Sequence, residues 1–336
     1  DLMRASFYKE SIEIMRRCWR PNQDHEGRPI FIFACGGRED QHTSRRQLRD
    51  FIASKRSLTN VLCLSAEAVA KRGEFQRVDL LTQEAMMADI ADWLVIFSES
   101  AGSICELGAF AALPHARAIT SIVEDSSHAA EQSFLNDGPI RMIHEEKSPL
   151  SRLFVVSLSN IMMAPEFTRF VTDIRSKVQA GSRIKRNEQR MRPNSNNEDG
   201  KVYVGPLVHE LIDIISLLGP IDQRNLFRIY CDVLGIKLSS LSIRSRIIQD
   251  DISENDISIK RGQVMAFMAA NSLVKEIPAP KGSSVLYTTR LPLSSYFMFR
   301  NSKLSKERLH IMKAKVLGQK RHMGMRGANN VYHRHD

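Results

Sequence analysis

Four short apolar runs, interleaved with helix-like spacings, restrict the first half of this chain more than any other feature. They are IFIFACG at residues 30–36, VLCLSAEA at 61–68, WLVIFSES at 93–100 and AITSIVED at 118–125. Their cores are unbroken rather than alternating, which marks strands covered on both faces. Between them, residues 44–54 set Leu48, Phe51 and Ile52 on one side of a helix. Residues 79–91 do the same with Leu80, Leu81, Ala85, Met87, Ala88 and Ala91, and residues 106–112 form a third helix. Strands alternating with helices predict an α/β fold, a parallel sheet flanked by helices, over residues 28–180. Ligands of such sheets bind at the carboxyl ends of the strands. Here that edge gathers the loops at 36–38, 97–106 and 123–127.

The remaining chain follows other patterns. Residues 1–27 read as an N-terminal helical segment. Residues 181–206, polar and nearly free of aliphatic side chains, read as a linker. From residue 207 the period is helical. LVHELIDIISLLG stops at Gly219 and Pro220, DQRNLFRIYCDVLG follows with Asp222 as its N-cap, and SIRSRIIQDDIS and GQVMAFMAANSLV complete four helices. EIPAPKGSSVLYTTRL then places two extended runs around Lys281, Gly282 and Ser283, a hairpin signature. Helices followed by a hairpin over 207–300 give the order of a winged helix, a mostly helical second domain that docks either in a DNA groove or on a protein.

Composition narrows the class. A chain of 336 residues exceeds one average core. No apolar run approaches the roughly 20 residues that span a bilayer, and no signal peptide is visible, so a cytoplasmic protein without a membrane partner is expected. Five cysteines, odd in number and without a C-x-x-C, predict neither a zinc site nor a disulfide framework. Net charge is +10, and residues 301–336 carry nine Lys or Arg against Glu307 and Asp336. Such local excess points to a polyanion, nucleic acid first, with Lys313, Lys315, Lys320, Arg321 and Arg326 as the contacts. A solvated tail is the alternative.

FSESAGSICELGAF, residues 97–110, carries the most chemistry. Ser98 to Ser103 read as the turn after the third strand, with Glu99, Ser100, Gly102 and Ser103 on the ligand edge. Glu106 then falls in the first turn of a helix, where the dipole stabilises a carboxylate and lowers its pKa. An oriented carboxylate there suits attack on an anomeric carbon. Equally, S-I-C-E matches a capping box between Ser103 and Glu106. Glu84 lies on the preceding helix, eight residues before Asp92, either aimed at the same edge or simply solvent-exposed. In ACGGRED, backbone N–H groups around Cys35, Gly36 and Gly37 are candidates to cradle phosphate, with Arg38, Arg45 or Arg46 adding charge. Neither nucleotide-loop spacing is present. Asn136, in NDGPIRMI, sits in a turn before a short extended run, which either closes the pocket or is simply a turn.

The stretch DWLVIFSESAGSICELGAF resembles the nucleoside 2-deoxyribosyltransferase signature: a strand opening with Asp, a Gly-Ser turn, E-L-G and a small-residue helix. The resemblance implies a Rossmann-like fold, Glu106 as nucleophile on the sugar C1′ and Glu84 on the sugar. A closer resemblance, to the effectors of type II-A retrons, rests on FACGG at 33–37, FSESAGSICELGAF at 97–110, SFLNDGPIR at 133–141 and RLHIM at 308–312. It implies a deoxyribosyltransferase-like domain joined to a winged helix. It further implies the toxic arm of an antiphage system, held inactive by a reverse transcriptase and its msDNA, and self-association is compatible with it. The implied reaction is cleavage of an N-glycosidic bond, with NAD as substrate rather than cofactor. Nicotinamide leaves as a neutral base from a cationic bond, so no general acid is needed. The turn is shorter than in typical transferases, so hydrolysis is the simpler expectation. A non-enzymatic nucleic-acid-binding regulator and a glycosidase for another nucleotide are the alternatives.

Overall fold

The computed structural model describes residues 6–18, 28–129, 132–188, 200–245, 259–278, 285–289 and 303–322. The first elements are α1 (Ser6–Cys18), β1 (Ile30–Cys35), α2 (Ser44–Ser54), β2 (Val61–Leu64), the short α3 (Ala66–Ala70), α4 (Leu80–Ile90), β3 (Trp93–Phe97) and α5 (Ala101–Ala112). Then come α6 (Pro114–Arg117), β4 (Thr120–Asp125), α7 (Arg141–His144), β5 (Arg152–Val156), α8 (Pro165–Thr172) and α9 (Ile174–Glu188).

The five strands form one parallel sheet in the order β2-β1-β3-β4-β5. Every residue of β1 and β3 is buried, as unbroken apolar runs require. Trp93, Phe97 and Phe154 meet Phe167 or Phe170 of α8. Phe33 pairs in register with Leu94 and so faces the other side, where it meets Phe110 of α5 edge-on. The expected α/β fold is therefore present, with aromatic packing on both faces. Strand order reverses between β1 and β3, which opens a crevice where their carboxyl ends lie side by side.

Several local expectations are corrected. β5 was not anticipated: it is the edge strand, with Arg152 and Val155 exposed, so it lacks the unbroken pattern. Helix α5 begins at Ala101 rather than at residue 106. The turn and extended run expected at 136–143 are instead a π-helical turn, Asn136–Ile140, leading into α7. The wider turn admits Pro139, which has no N–H to donate. At the expected linker, α9 continues to Glu188, anchored by buried Ile174 and Val178. Residues 189–199 lie outside the described residues.

The second half holds β6 (Lys201–Tyr203), α10 (Val204–Leu218), β7 (Ile221–Asp222), α11 (Gln223–Leu234), β8 (Ser242–Arg244), α12 (Arg261–Ala270), β9 (Val274–Pro278), β10 (Val285–Thr289) and α13 (Lys303–His322). Asp222 caps α11, accepting from the Asn225 N–H at 3.0 Å. β9 and β10 pair antiparallel, as expected, and β7 joins them in the order β7-β10-β9. Lys281, Gly282 and Ser283 lie outside the described residues. The helix expected from residue 242 opens as strand β8, whose buried Ile243 pairs with Val202 of β6; residues 246–258 are not described.

Every residue of α10 except Pro206 is buried. Its apolar residues and its polar stripe, His209, Glu210, Asp213 and Ser216, are buried alike, because it lies between α4 and the small sheet, with α11, α12 and α13 also against it. His209 stacks on Phe31 of β1 at 4.5 Å. The parallel sheet and the helical half are thus packed together. Among the described residues, no helix is long and apolar enough to cross a membrane.

Candidate active site

The crevice between β1 and β3 is built by close backbone approach. A Cβ on Gly36 would lie 2.7 Å from Glu99 Oε1, and one on Gly37 would lie 2.1 Å from the His42 ring. A side chain at either position would have to displace Glu99 or His42. Glu99 is buried and works as a staple. Its Oε1 accepts from the Gly37 N–H at 3.0 Å and its Oε2 from the Ser44 hydroxyl at 2.6 Å. The Gly37 N–H is therefore spent on Glu99, which corrects the expectation that it is free for phosphate. Glu99 holds the loop rather than facing outward.

The arginines sort differently from the sequence expectation. Arg38 turns outward to Asp40 at 2.9 Å, and its side chain is 79% exposed. Arg46 is also exposed. Arg45, on the first turn of α2, points inward instead: its side chain is 14% exposed and pairs with Glu67 at 2.6 Å. Its Nη2 donates to the Gly37 carbonyl at 2.9 Å. Its Nε is buried and has no hydrogen-bond partner in the protein. Loop against helix is the reason: residue 38 sits on the outside of the turn, whereas residue 45 faces the sheet.

After β3, Ser100 caps α5. Its hydroxyl accepts from the Ser103 N–H at 3.1 Å, and the Ser103 hydroxyl accepts from the Ser100 N–H at 3.1 Å. This pair replaces the expected capping box of Ser103 with Glu106. Glu106 thereby falls in the second turn, free of capping duty. At Gly102, a Cβ would meet only the Ser100 hydroxyl, at 3.8 Å, so the approach over this turn is open.

Glu106 and Glu84 face each other from α5 and α4 and share a hydrogen bond. Burial, then the charge of Glu84, pushes the Glu106 carboxyl up to about 8, while the Cys35 thiol and Arg45 pull the other way. Glu84 is raised too, by burial first and by the charge of Glu67. The expected lowering by the helix dipole is overturned, because burial and a like charge outweigh it. The pair holds one shared proton near neutrality. Glu106 Oε2 is buried and makes no hydrogen bond to the protein. Cys35 is buried at the end of β1, its thiol hydrogen-bonded to Glu106 and its pKa raised by burial and by both glutamates.

Leu80 and Leu81 open α4, one turn before Glu84. They are 64% and 62% exposed, and Glu84, three and four residues on, lies between them in angle on α4. Asn136 donates to the His128 carbonyl at 3.3 Å, in the π-helical turn that packs on α5. The structure thus brings Cys35, Gly36, Gly37, Glu84, Glu99 and Glu106 together, with Ser100, Gly102 and Ser103 at the turn, and leaves Arg38 outside. Arg45 and Glu67 complete the group. Glu67 was legible only as an acidic residue just after a strand at the ligand edge.

The basic C-terminal helix lies apart from this crevice. Lys313 is half-buried, and burial pushes its ammonium pKa down. Lys315 pairs with Glu10 of α1 at 3.1 Å. A groove of about 430 Å³ between α1 and α13 is lined by Glu10, Glu13, Arg17, Arg308 and Lys315, so part of the positive charge of α13 is matched within the chain. The side chains of Lys320 and Arg321, and all of Arg326, lie outside the described residues.

Known proteins share this sequence pattern. A retron Ec86 protein of Escherichia coli, named as a candidate ribosyltransferase/DNA-binding protein, is 34% identical over 123 residues, 35% of this chain and 39% of the relative. A retron Ec73 protein of Escherichia coli with the same description is 30% identical over 219 residues, 61% of this chain and 67% of the relative. The family model described as STM3845 retron effector protein matches residues 41–255, more than half of the chain. That stretch contains Glu67, Glu84, Glu99 and Glu106, and the chain belongs to the STM3845 retron effector family.

Proposed function

We propose that this effector is an N-glycosidase that cleaves the nicotinamide–ribose bond of NAD or a related nucleotide. The observation that carries this is the pair of facing carboxylates, Glu84 and Glu106, at the strand-order reversal of the sheet. Glu106 attacks C1′, or orients water to it. In the first case its oxygen bonds to C1′ as the C1′–N bond breaks, and the electron pair neutralises the pyridinium. Water then hydrolyses the glycosyl ester. Glu84 holds ribose hydroxyls. Arg45, beside the Gly36–Gly37 turn, faces the phosphates, and Leu80 and Leu81 give the base an apolar wall. A cationic nicotinamide-ribose bond favours the ionised form of Glu106, whose buried Oε2 awaits a partner.

Incubating the full chain with NAD and following free nicotinamide tests this. Wild type releases it and Glu106→Gln does not. Equal release by both overturns the mechanism. One observation favours a second reading: the shared proton would let Glu106 act as a general acid toward a neutral nucleobase. Metabolite profiling of cells expressing wild type or Glu106→Gln separates the two by which nucleotide disappears.

The order α10, β7, α11, α12, β9, β10 supports a winged helix in the second half. The relatives' names carry DNA binding, and α13 supplies positive charge. The proposed partners are the retron reverse transcriptase and msDNA, which hold the effector inactive in the cytoplasm, with self-association into a larger assembly as a further arrangement.

A further inference from the structure

A helix that enters a DNA groove must present a face to it. The body of helix α12, at the recognition position of the proposed winged helix, presents none: residues 264–268 are consecutive and all buried, and the exposed Arg261 lies in its first turn. Five successive residues cover the full circumference of a helix. Its sides are taken by α10, α11 and β9, and also by α3 and the 3-10 turn Gly73–Phe75 of the sheet half. Around this contact, Arg72 makes a two-pronged ion pair with Glu276 of β9, at 2.8 and 3.1 Å.

The contact leads to the crevice. Asn271, which ends α12, accepts from the Ser65 N–H through Oδ1 at 2.7 Å, and its Nδ2 donates to the Phe267 carbonyl at 3.1 Å. Ser65 caps α3, and its hydroxyl also donates to Glu67 Oε2 at 3.3 Å. Glu67 holds Arg45 at 2.6 Å, and Arg45 holds the Gly37 carbonyl at 2.9 Å. An unbroken line of hydrogen bonds thus runs from the helical half to the loop beside Glu106. We infer that Asn271 is a positioning residue for the active site, supplied by the helical half and acting through Ser65, Glu67 and Arg45. As a catalytic role, this rests on the N-glycosidase reading. A nucleic acid that drew α12 into a groove would have to lift it off α3, and would disturb the same line.

The test uses the full chain with Asn271→Leu, which removes the acceptor at similar volume, and Asn271→Asp, which keeps it. The groups that act on Glu106 are Glu84, Cys35 and Arg45, and Glu67 acts on Glu84. Loosening Arg45 weakens a cation that lowers Glu106. Asn271→Leu is expected to cut kcat about tenfold and to move the rising limb of the pH profile upward by about half a unit. Faster amide exchange over residues 36–47 accompanies it, and Asn271→Asp restores most of the activity. Where Asn271→Leu fails to fold, Arg72→Glu replaces it, with the swap Arg72→Glu/Glu276→Arg as the rescue. Unchanged exchange over residues 36–47 overturns the inference, as does a lost activity with an unmoved pH limb. If wild type cleaves no nucleotide, the N-glycosidase reading fails, while the exchange measurement still decides whether Asn271 braces the loop.

Discussion

The two ends of the parallel sheet each bury a carboxylate beside an arginine, with opposite results. At the amino end, Asp92 meets Arg28 through both oxygens, at 2.5 and 3.1 Å, and accepts from the Phe31 N–H at 3.0 Å. Burial alone would raise its pKa, but Arg28, His209 and these hydrogen bonds hold it below the usual range. At the carboxyl end, Arg45 is committed to Glu67 and to the Gly37 carbonyl. Glu106 faces Glu84 instead, and its pKa rises to about 8. A buried carboxylate with a matched cation ties elements together. One left facing a second carboxylate stores a proton that can move, which is the common condition of an active site.

Breaking each end separately sharpens the contrast. Glu106→Gln is expected to lower kcat by about a thousandfold, about 4 kcal/mol, with little change in denaturant midpoint at acid pH, where the carboxyl is neutral in both states; nicotinamide release and urea unfolding measure the two. Asp92→Asn does the reverse. It leaves Arg28 without its counter-charge, costs about 3 kcal/mol of stability, and leaves the pH profile of the folded fraction unmoved. On the N-glycosidase reading, Arg45→Ala raises KM by about ten- to a hundredfold, because the buried guanidinium proposed to face the phosphates is lost. Arg38→Ala, already paired with Asp40 in solvent, stays within about twofold. Leu81→Gln raises KM only a few-fold, about the value of one partly buried apolar side chain.

The two ends also respond oppositely to pH. Glu106 has a folded pKa above its unfolded value, so its contribution to stability is complete below about 4.5 and is lost as pH rises through about 8. Asp92 has a depressed folded pKa, so its contribution is present above about 3.8 and is lost as pH falls through the folded value. Unfolding curves are therefore expected to weaken toward alkaline pH in wild type. That loss shrinks in Glu106→Gln and persists in Asp92→Asn.

Much of the sheet half was legible in the sequence because unbroken apolar runs have few alternatives. β1, β2, β3 and β4 lie where those runs do, and β5 escaped because an edge strand with exposed Arg152 and Val155 looks like surface. Glu84 and Glu106 stood out through spacing and resemblance. Their shared proton did not, since it depends on burial contributed by separate elements. Choosing Arg45 over Arg38 needed the orientation of α2 against its loop. The contact of Asn271 with Ser65 joins residues 206 positions apart, and no local pattern marks it. In the helical half, α10 was legible as a helix, but its burial on every side depends on the sheet beside it.

The shared proton is tested most directly by the pH dependence of kcat/KM for nicotinamide release, in wild type and in Glu84→Gln. Rates that rise with a midpoint near pH 8 in wild type, with that midpoint falling toward the ordinary carboxylate range in Glu84→Gln, are the predicted result. A midpoint that is the same in both proteins would contradict it.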